Sequence, residues 1–216
     1  MKENILSLIK SKYKVIRETN TEINVLINGH NLRYIKQSHK YIVDGYNTLS
    51  VSELIKRTNP DLYKGVDKSF LKKGGHRGDI MHEQIAYYEA TGNISFSTEF
   101  KNYLSLKERN NMETIGSEMF VLICNTNNEP LCAGRLDLFY INKLTNQLGI
   151  CEFKRTAELY MDNVTLQLNL YAYGLYQSFG INVDNLICMR LRDELNEIVP
   201  IKLDKQIAID AILAYL

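Results

Sequence analysis

Tryptophan is missing from this 216-residue chain, proline occurs three times and glycine twelve. With so few breaking residues there is no Pro/Gly/Ser-rich linker, low-complexity tract or internal repeat, and the composition speaks against disorder. No apolar run approaches the ~20 residues needed to cross a bilayer, so no membrane partner is expected. The opening Met1-Lys2-Glu3-Asn4 lacks the apolar stretch and small-residue cleavage site of a secretory signal, which makes the cytoplasm the expected compartment. Cysteine is scarce as well. Cys124, Cys132, Cys151 and Cys188 include no Cys-x-x-Cys pair, and each has apolar, strand-like neighbours. They read as small core residues rather than a disulfide framework.

Neither sign of charge dominates. A net charge of +1 gives no global argument for nucleic acid. The distribution is uneven, however. Residues 1–80 carry 15 Lys/Arg against 8 Asp/Glu, and residues 81–216 carry 11 against 17. A basic part beside an acidic part suits a phosphodiesterase, in which one attracts phosphate and the other holds cations. Solvated faces of unequal composition are the plainer alternative.

What is present is ordinary for one compact domain: 45% hydrophobic and 24% charged residues, enough for a single main core. A short helix is expected over residues 2–12, then strands at 13–18, 22–27 and 32–37, the last two joined through Asn28-Gly29, a hairpin signal. A further strand, Tyr41-Ile42-Val43, precedes the turn Asp44-Gly45. Ser50-Val51-Ser52-Glu53 is a capping box that opens a helix ending near Asn59-Pro60. Residues 78–90 read as a helix stopped by Gly92. Strands at 118–124, 131–141 and 148–155 follow. A helix at 163–179 closed by Gly180, strands near 185–191 and 197–203, and a last helix complete the chain.

Two strands carry an anomaly. In Ala133-Gly134-Arg135-Leu136-Asp137-Leu138-Phe139-Tyr140, period-2 alternation puts Leu136 and Leu138 on one face and Arg135 and Asp137 on the other. In Gly149-Ile150-Cys151-Glu152-Phe153-Lys154-Arg155, Cys151 and Phe153 face one way, Glu152 and Lys154 the other. A carboxylate inside an apolar strand is costly unless it is paired or bound to a metal. One such strand alone reads as a partly buried ion pair. Two neighbouring ones, joined by a short turn, place two carboxylates and an ammonium on one side of a sheet. Hard divalent ions prefer such oxygen ligands, and phosphodiester hydrolysis also needs a cation near the developing charge.

Gly134-Arg135-Leu136-Asp137 followed by Glu152-Phe153-Lys154 resembles motifs II and III of the PD-(D/E)XK nucleases. Gln167-Leu168-Asn169-Leu170-Tyr171 resembles the Gln-x-x-x-Tyr motif of the RecB-type branch. Gly78-Asp79-Ile80-Met81-His82 resembles that branch's helical motif ending in a metal-ligating His. The resemblance covers roughly residues 78–192 and is closer to the stand-alone exonucleases of phages and mitochondria.

It implies that His82, Asp137 and Glu152 hold one or two Mg²⁺ or Mn²⁺ ions with the backbone carbonyl of Phe153. Glu118 stands where many of these enzymes carry another acid. Lys154 would orient the attacking water, while Gln167 and Tyr171 would support the site and touch DNA. Lys72, Lys73, Arg77 and Arg155 are candidate phosphate contacts. Relatives with an iron–sulfur cluster carry one Cys before the core and three after it. Here all four lie within or just after the core strands, so no cluster is expected. Each residue also has a bland reading: His82 as a satisfied helix histidine, Gln167 and Tyr171 as polar helix edges, Glu118 as an exposed strand start, and the lysines as a solvated run.

The expectation is therefore an α/β fold with a restriction-endonuclease-like core, its mixed central sheet flanked by helices. Residues 1–77 form an N-terminal hairpin region packed on a core of 78–216. The expected function is metal-dependent hydrolysis of DNA, single- or double-stranded, from its ends. A structure-specific endonuclease would use the same site, and a nuclease-fold DNA- or partner-binding protein, such as a phage-encoded inhibitor, would not turn over.

Overall fold

A short helix and five strands open the chain. A computed structural model describes residues 1–60, 68–192 and 194–215, with the backbone alone for 68–73 and 195. Helix α1 (Lys2–Lys12) leads into β1 (Tyr13–Glu18), β2 (Glu22–Ile27), β3 (His30–Ile35), β4 (Lys40–Val43) and β5 (Tyr46–Ser50), an antiparallel meander. Both residues of Asn28-Gly29 and of Asp44-Gly45 have positive φ, the backbone that two-residue hairpins require. Every second residue of β2 and β3 is buried, including Ile23, Val25, Ile27, Leu32 and Tyr34, so one face of the meander is core.

Helix α2 (Val51–Thr58) starts at the capping box. Ser50 Oγ accepts from the Glu53 N–H at 3.0 Å, and the Glu53 carboxylate accepts from the Ser50 N–H at 2.8 Å. Then come α3 (Lys68–Thr91), α4 (Thr98–Arg109), β6 (Met112–Cys124), β7 (Pro130–Asn142), β8 (Leu148–Lys154), α5 (Met161–Phe179), β9 (Asn185–Arg192), β10 (Leu195–Ile201) and α6 (Lys205–Tyr215).

Three of these differ from the sequence reading. Helix α3 begins at Lys68 rather than near 78, carrying Gly74 and Gly75 within it, and so runs through the 77/78 boundary. Strand β6 begins at Met112 rather than 118. Helix α4 was not anticipated, although its buried Phe100, Tyr103 and Leu106 recur at three-residue spacing. Ser97 Oγ caps it by accepting from the Phe100 N–H at 3.3 Å.

The sheet runs β1-β2-β3-β4-β5-β7-β8-β9-β10, with β6 also paired to β7. It is mixed: β5/β7 and β8/β9 are parallel and the other pairs antiparallel. The N-terminal region is thus continuous with the core through β5. The larger apolar cluster packs α1, α2, α5 and α6 together with the inner face of the meander, and the smaller packs α3 and α4 on the other face through Met81, Ile85, Phe100, Tyr103 and Phe153.

One irregularity positions everything that follows. On one edge of β7, β5 pairs at Leu49↔Cys132 and Ser50↔Ala133, while β8 pairs only from Leu138↔Cys151 to Ile141↔Leu148. Residues 134–137 lie in the gap, without a ladder partner on that edge.

Candidate functional site

Asp137 sits at the lip of this gap, 6% exposed. Where the ladder ends, its carboxylate takes over: Oδ2 accepts from the Phe153 N–H at 2.7 Å. Oδ1 lies 3.3 Å from Nδ1 of His82, which α3 delivers from the position after buried Met81. The expected shared face of Leu136 and Leu138 is not kept. Leu136 packs into the larger cluster and Leu138 into the smaller. The pairing strand is distorted at the same level, for Glu118 has φ +53° between Ser117↔Leu138 and Met119↔Leu136. A left-handed non-glycine residue costs of order 1–3 kcal/mol and is held only where its surroundings demand it.

That distortion accompanies a bridging carboxylate. Glu118 Oε2 pairs with Arg135 Nε at 2.7 Å, and Oε1 lies 3.9 Å from His82 Nδ1. The Arg135 guanidinium is in turn 4.9 Å from the centre of the Tyr34 ring. His82, Glu118 and Asp137 each offer one ligand atom, all within 4.8 Å of one another.

Glu152 and Lys154 stand beside this cluster on β8. Glu152 is 3% exposed. Its Oε1 accepts from Lys154 Nζ at 2.6 Å, while Oε2 is buried and has no partner among the described residues. Lys154 Nζ also donates to Gln167 Oε1 at 3.1 Å, and Gln167 Nε2 donates to Tyr171 OH at 3.1 Å. Gln167 and Tyr171 are one turn apart on α5, which puts them on one face.

Gly134 lets that face approach. A Cβ at Gly134 would lie 2.7 Å from the Tyr171 ring and 2.8 Å from Val51.

The charges are coupled. Burial and the Asp137 charge push the Glu152 carboxyl up to about 7. Burial would also raise Asp137, but the His82 imidazole beside it wins and holds the carboxyl below its usual range. For His82 the same balance runs the other way: burial would lower it, yet Asp137 and Glu118 hold it well above the usual imidazole value. Burial disfavours the Lys154 ammonium, and the Glu152 contact outweighs it, so Lys154 is raised.

A buried carboxylate oxygen with no partner is expensive. An imidazole and two carboxylates whose ligand atoms lie within 4.8 Å of one another form a donor set that Mn²⁺, and with more reluctance at the nitrogen Mg²⁺, can use. His82, Glu118 and Asp137 fit such an ion, and Glu152 lies in the field of Asp137 and His82.

The structure brings together His82, Glu118, Asp137, Glu152, Lys154, Gln167 and Tyr171. Phe153 contributes its N–H to Asp137, and a role for its carbonyl rests on the resemblance. Arg155 turns elsewhere: its Nε pairs with Glu99 Oε1 at 2.6 Å, mostly buried. Arg77 is exposed on α3. The side chains of Lys72 and Lys73 lie outside the described residues.

Sequence reasoning missed Arg135 as the partner of Glu118, although the alternation already put it beside Asp137. It also missed Glu99, because α4 was unseen. The three buried cysteines, Cys132, Cys151 and Cys188, line the core, and Cys124 is half-buried. No helix among the described residues is long and apolar enough to cross a membrane.

No family model matches the chain, and no curated protein matches it. Among solved structures, the crystal structure of SSO0001 is similar at 17% identity and a TM-score of 0.42, covering 100% of this chain and 84% of that one. A likeness this slight carries no argument.

Proposed function

We propose that this chain is a divalent-metal-dependent DNA nuclease of the PD-(D/E)XK type that hydrolyses phosphodiester bonds from DNA ends. The observation that carries the reading is the junction of two sets of side chains. The His82–Glu118–Asp137 cluster adjoins the Glu152–Lys154–Gln167–Tyr171 chain at a gap in the sheet. Structural ion pairs alone do not call for a buried carboxylate oxygen that has no partner among the described residues and lies in the field of a second buried carboxylate, Asp137.

Lewis-acid stabilisation of the phosphoryl charge is what Mg²⁺ or Mn²⁺ in this cluster supplies. The protein's own residues do the positioning. Asp137 is fixed by the Phe153 N–H, and His82 by Asp137. Lys154, held between Glu152 and Gln167, keeps an ammonium at the site to steady a water and to offset charge on the phosphate. Gln167 orients Lys154 and is itself oriented by Tyr171.

The test is incubation with end-labelled linear and covalently closed circular DNA, with Mg²⁺, Mn²⁺ or a chelator. Metal-dependent loss of linear DNA alone supports the reading. Cleavage of the circle changes it to an endonuclease, and binding without metal-dependent cleavage refutes it.

A further inference from the structure

Beside Lys154 and Gln167 opens a groove of about 350 Å³ between α2, α5 and the segment that follows β8. We infer that this groove receives one unstacked nucleobase of the strand being cut, next to the scissile phosphate, and so makes single-stranded ends the preferred substrate. The inference rests on the nuclease reading and adds the form of the substrate.

Four observations carry it. Lys154 and Gln167 line both the groove and the candidate site, so an occupant of the groove is adjacent to whatever reacts at Lys154. Ile55, Leu159 and Val164 give the groove apolar walls, and Tyr160 adds an aromatic ring, the surroundings that a base leaving its stack requires. The groove wall also carries an amide. Asn163 accepts from Asn59 Nδ2 through Oδ1 at 3.5 Å, while its own Nδ2 is buried and has no partner among the described residues. A base carbonyl or ring nitrogen is the acceptor that such a donor reads. Finally, Lys56 on α2 lines the groove and supplies a cation for a flanking phosphate.

The size decides against a duplex. A volume near the lower end for a small-molecule site takes one nucleotide's base and sugar, not a base pair. A paired base would first have to be pulled from the duplex, at a cost of a few kcal/mol.

The experiment uses end-labelled single strands with one abasic residue at successive positions, incubated with Mn²⁺. The proteins are wild type, Thr156→Trp, which narrows the groove from an exposed position, and Asn163→Leu. Wild type is expected to lose about ten-fold in kcat/KM when the abasic residue falls at one position beside the cleaved bond, the size of one base contact. Both variants should cleave intact strands more slowly and lose that position dependence. Blunt duplex ends should be cut more slowly than single strands by wild type.

Cleavage with no position-dependent penalty overturns the groove assignment and leaves the nuclease reading standing. So do variants that keep the wild-type penalty. Absence of metal-dependent hydrolysis of any strand, and of bis(p-nitrophenyl) phosphate, which has no base, overturns the nuclease reading and this inference with it.

Discussion

The backbone N–H of Phe153 donates to Oδ2 of Asp137 at 2.7 Å, just past the last paired residues of β7 and β8, Leu138 and Cys151. A side chain thereby replaces a strand as the partner of a backbone donor. The aspartate is held from one side by the sheet and from the other by His82. Its position is therefore set by contacts within the fold.

This contact makes Asp137→Asn the informative substitution. The amide oxygen can still accept from Phe153, so the fold should persist, while the charge that would hold a cation is gone. Cleavage should fall below detection. In wild type, Mn²⁺ at a hundred times its Kd should stabilise the fold by about 2.7 kcal/mol, a rise in Tm of roughly 5–10 °C for a chain of this size. Thermal melts with Mn²⁺ and with chelator should show that rise for wild type and little or none for Asp137→Asn. An equal rise in both proteins would remove Asp137 from the metal site.

Lys154→Met keeps most of the side-chain volume and removes the ammonium between Glu152 and Gln167. Turnover should fall by a factor of about 10² or more, the usual loss for one electrostatic contact to the transition state. The metal concentration for half-maximal rate should change far less. Single-turnover rates across a metal titration separate the two, and an unchanged rate would take Lys154 out of the chemistry.

Acidity gives a third outcome, and the signs agree for two groups. The Glu152 carboxyl is raised from 4.5 to about 7, so the metal-free fold keeps a proton that the unfolded chain has released. Its stability contribution is present below 4.5 and is lost as pH rises through about 7. His82 is raised above 6.5, so its contribution is present below 6.5 and is lost as pH climbs past its folded value. In chelator, stability should decline from about pH 5 to pH 8. Asp137, lowered from 3.8, acts only at the acid end, where stability is lost as pH falls below that value. Ligands must shed protons to hold a cation, so the gain in Tm from Mn²⁺ should grow over the same range. Glu152→Gln and His82→Ala should each flatten that growth. A gain independent of pH in wild type would show that neither group meets the ion.

Gly134→Ala tests the packing that supports the site. The added Cβ would meet the Tyr171 ring at 2.7 Å and Val51 at 2.8 Å, forcing α5 or α2 away from β7. Overpacking of this kind costs about 1–3 kcal/mol. Turnover should drop as well, because Tyr171 holds Gln167 and Gln167 holds Lys154. Adding Val51→Ala should recover part of the stability, measured by denaturant unfolding. A single variant as stable and active as wild type would mean that the close approach has no role.

Much of this molecule was legible in one dimension because its signals are local. Alternation in β2 and β3, the Asn28-Gly29 and Asp44-Gly45 turns, the Ser50–Glu53 capping box and the Gly180 stop of α5 each depend on neighbours a few residues away. So does the pairing of Glu152 with Lys154 on one strand and of Gln167 with Tyr171 on one helix. Helix α4 was missed because its buried residues are sparse among polar ones, and the start of α3 because its glycines read as a loop.

The sequence by itself determined which residues carry charge in apolar strands, and their order along the chain. Only the tertiary structure decided which of them meet. Arg155, next to Lys154 in sequence, turns to Glu99 on a helix that alternation could not reveal. His82 and Glu118, 36 residues apart in the numbering, converge on Asp137 because strand pairing stops at Leu138 and Glu118 adopts a left-handed backbone. A gap in a sheet leaves no local trace in sequence. It arises from the competition of β5 and β8 for one edge of β7, and that competition exists only once the chain has folded.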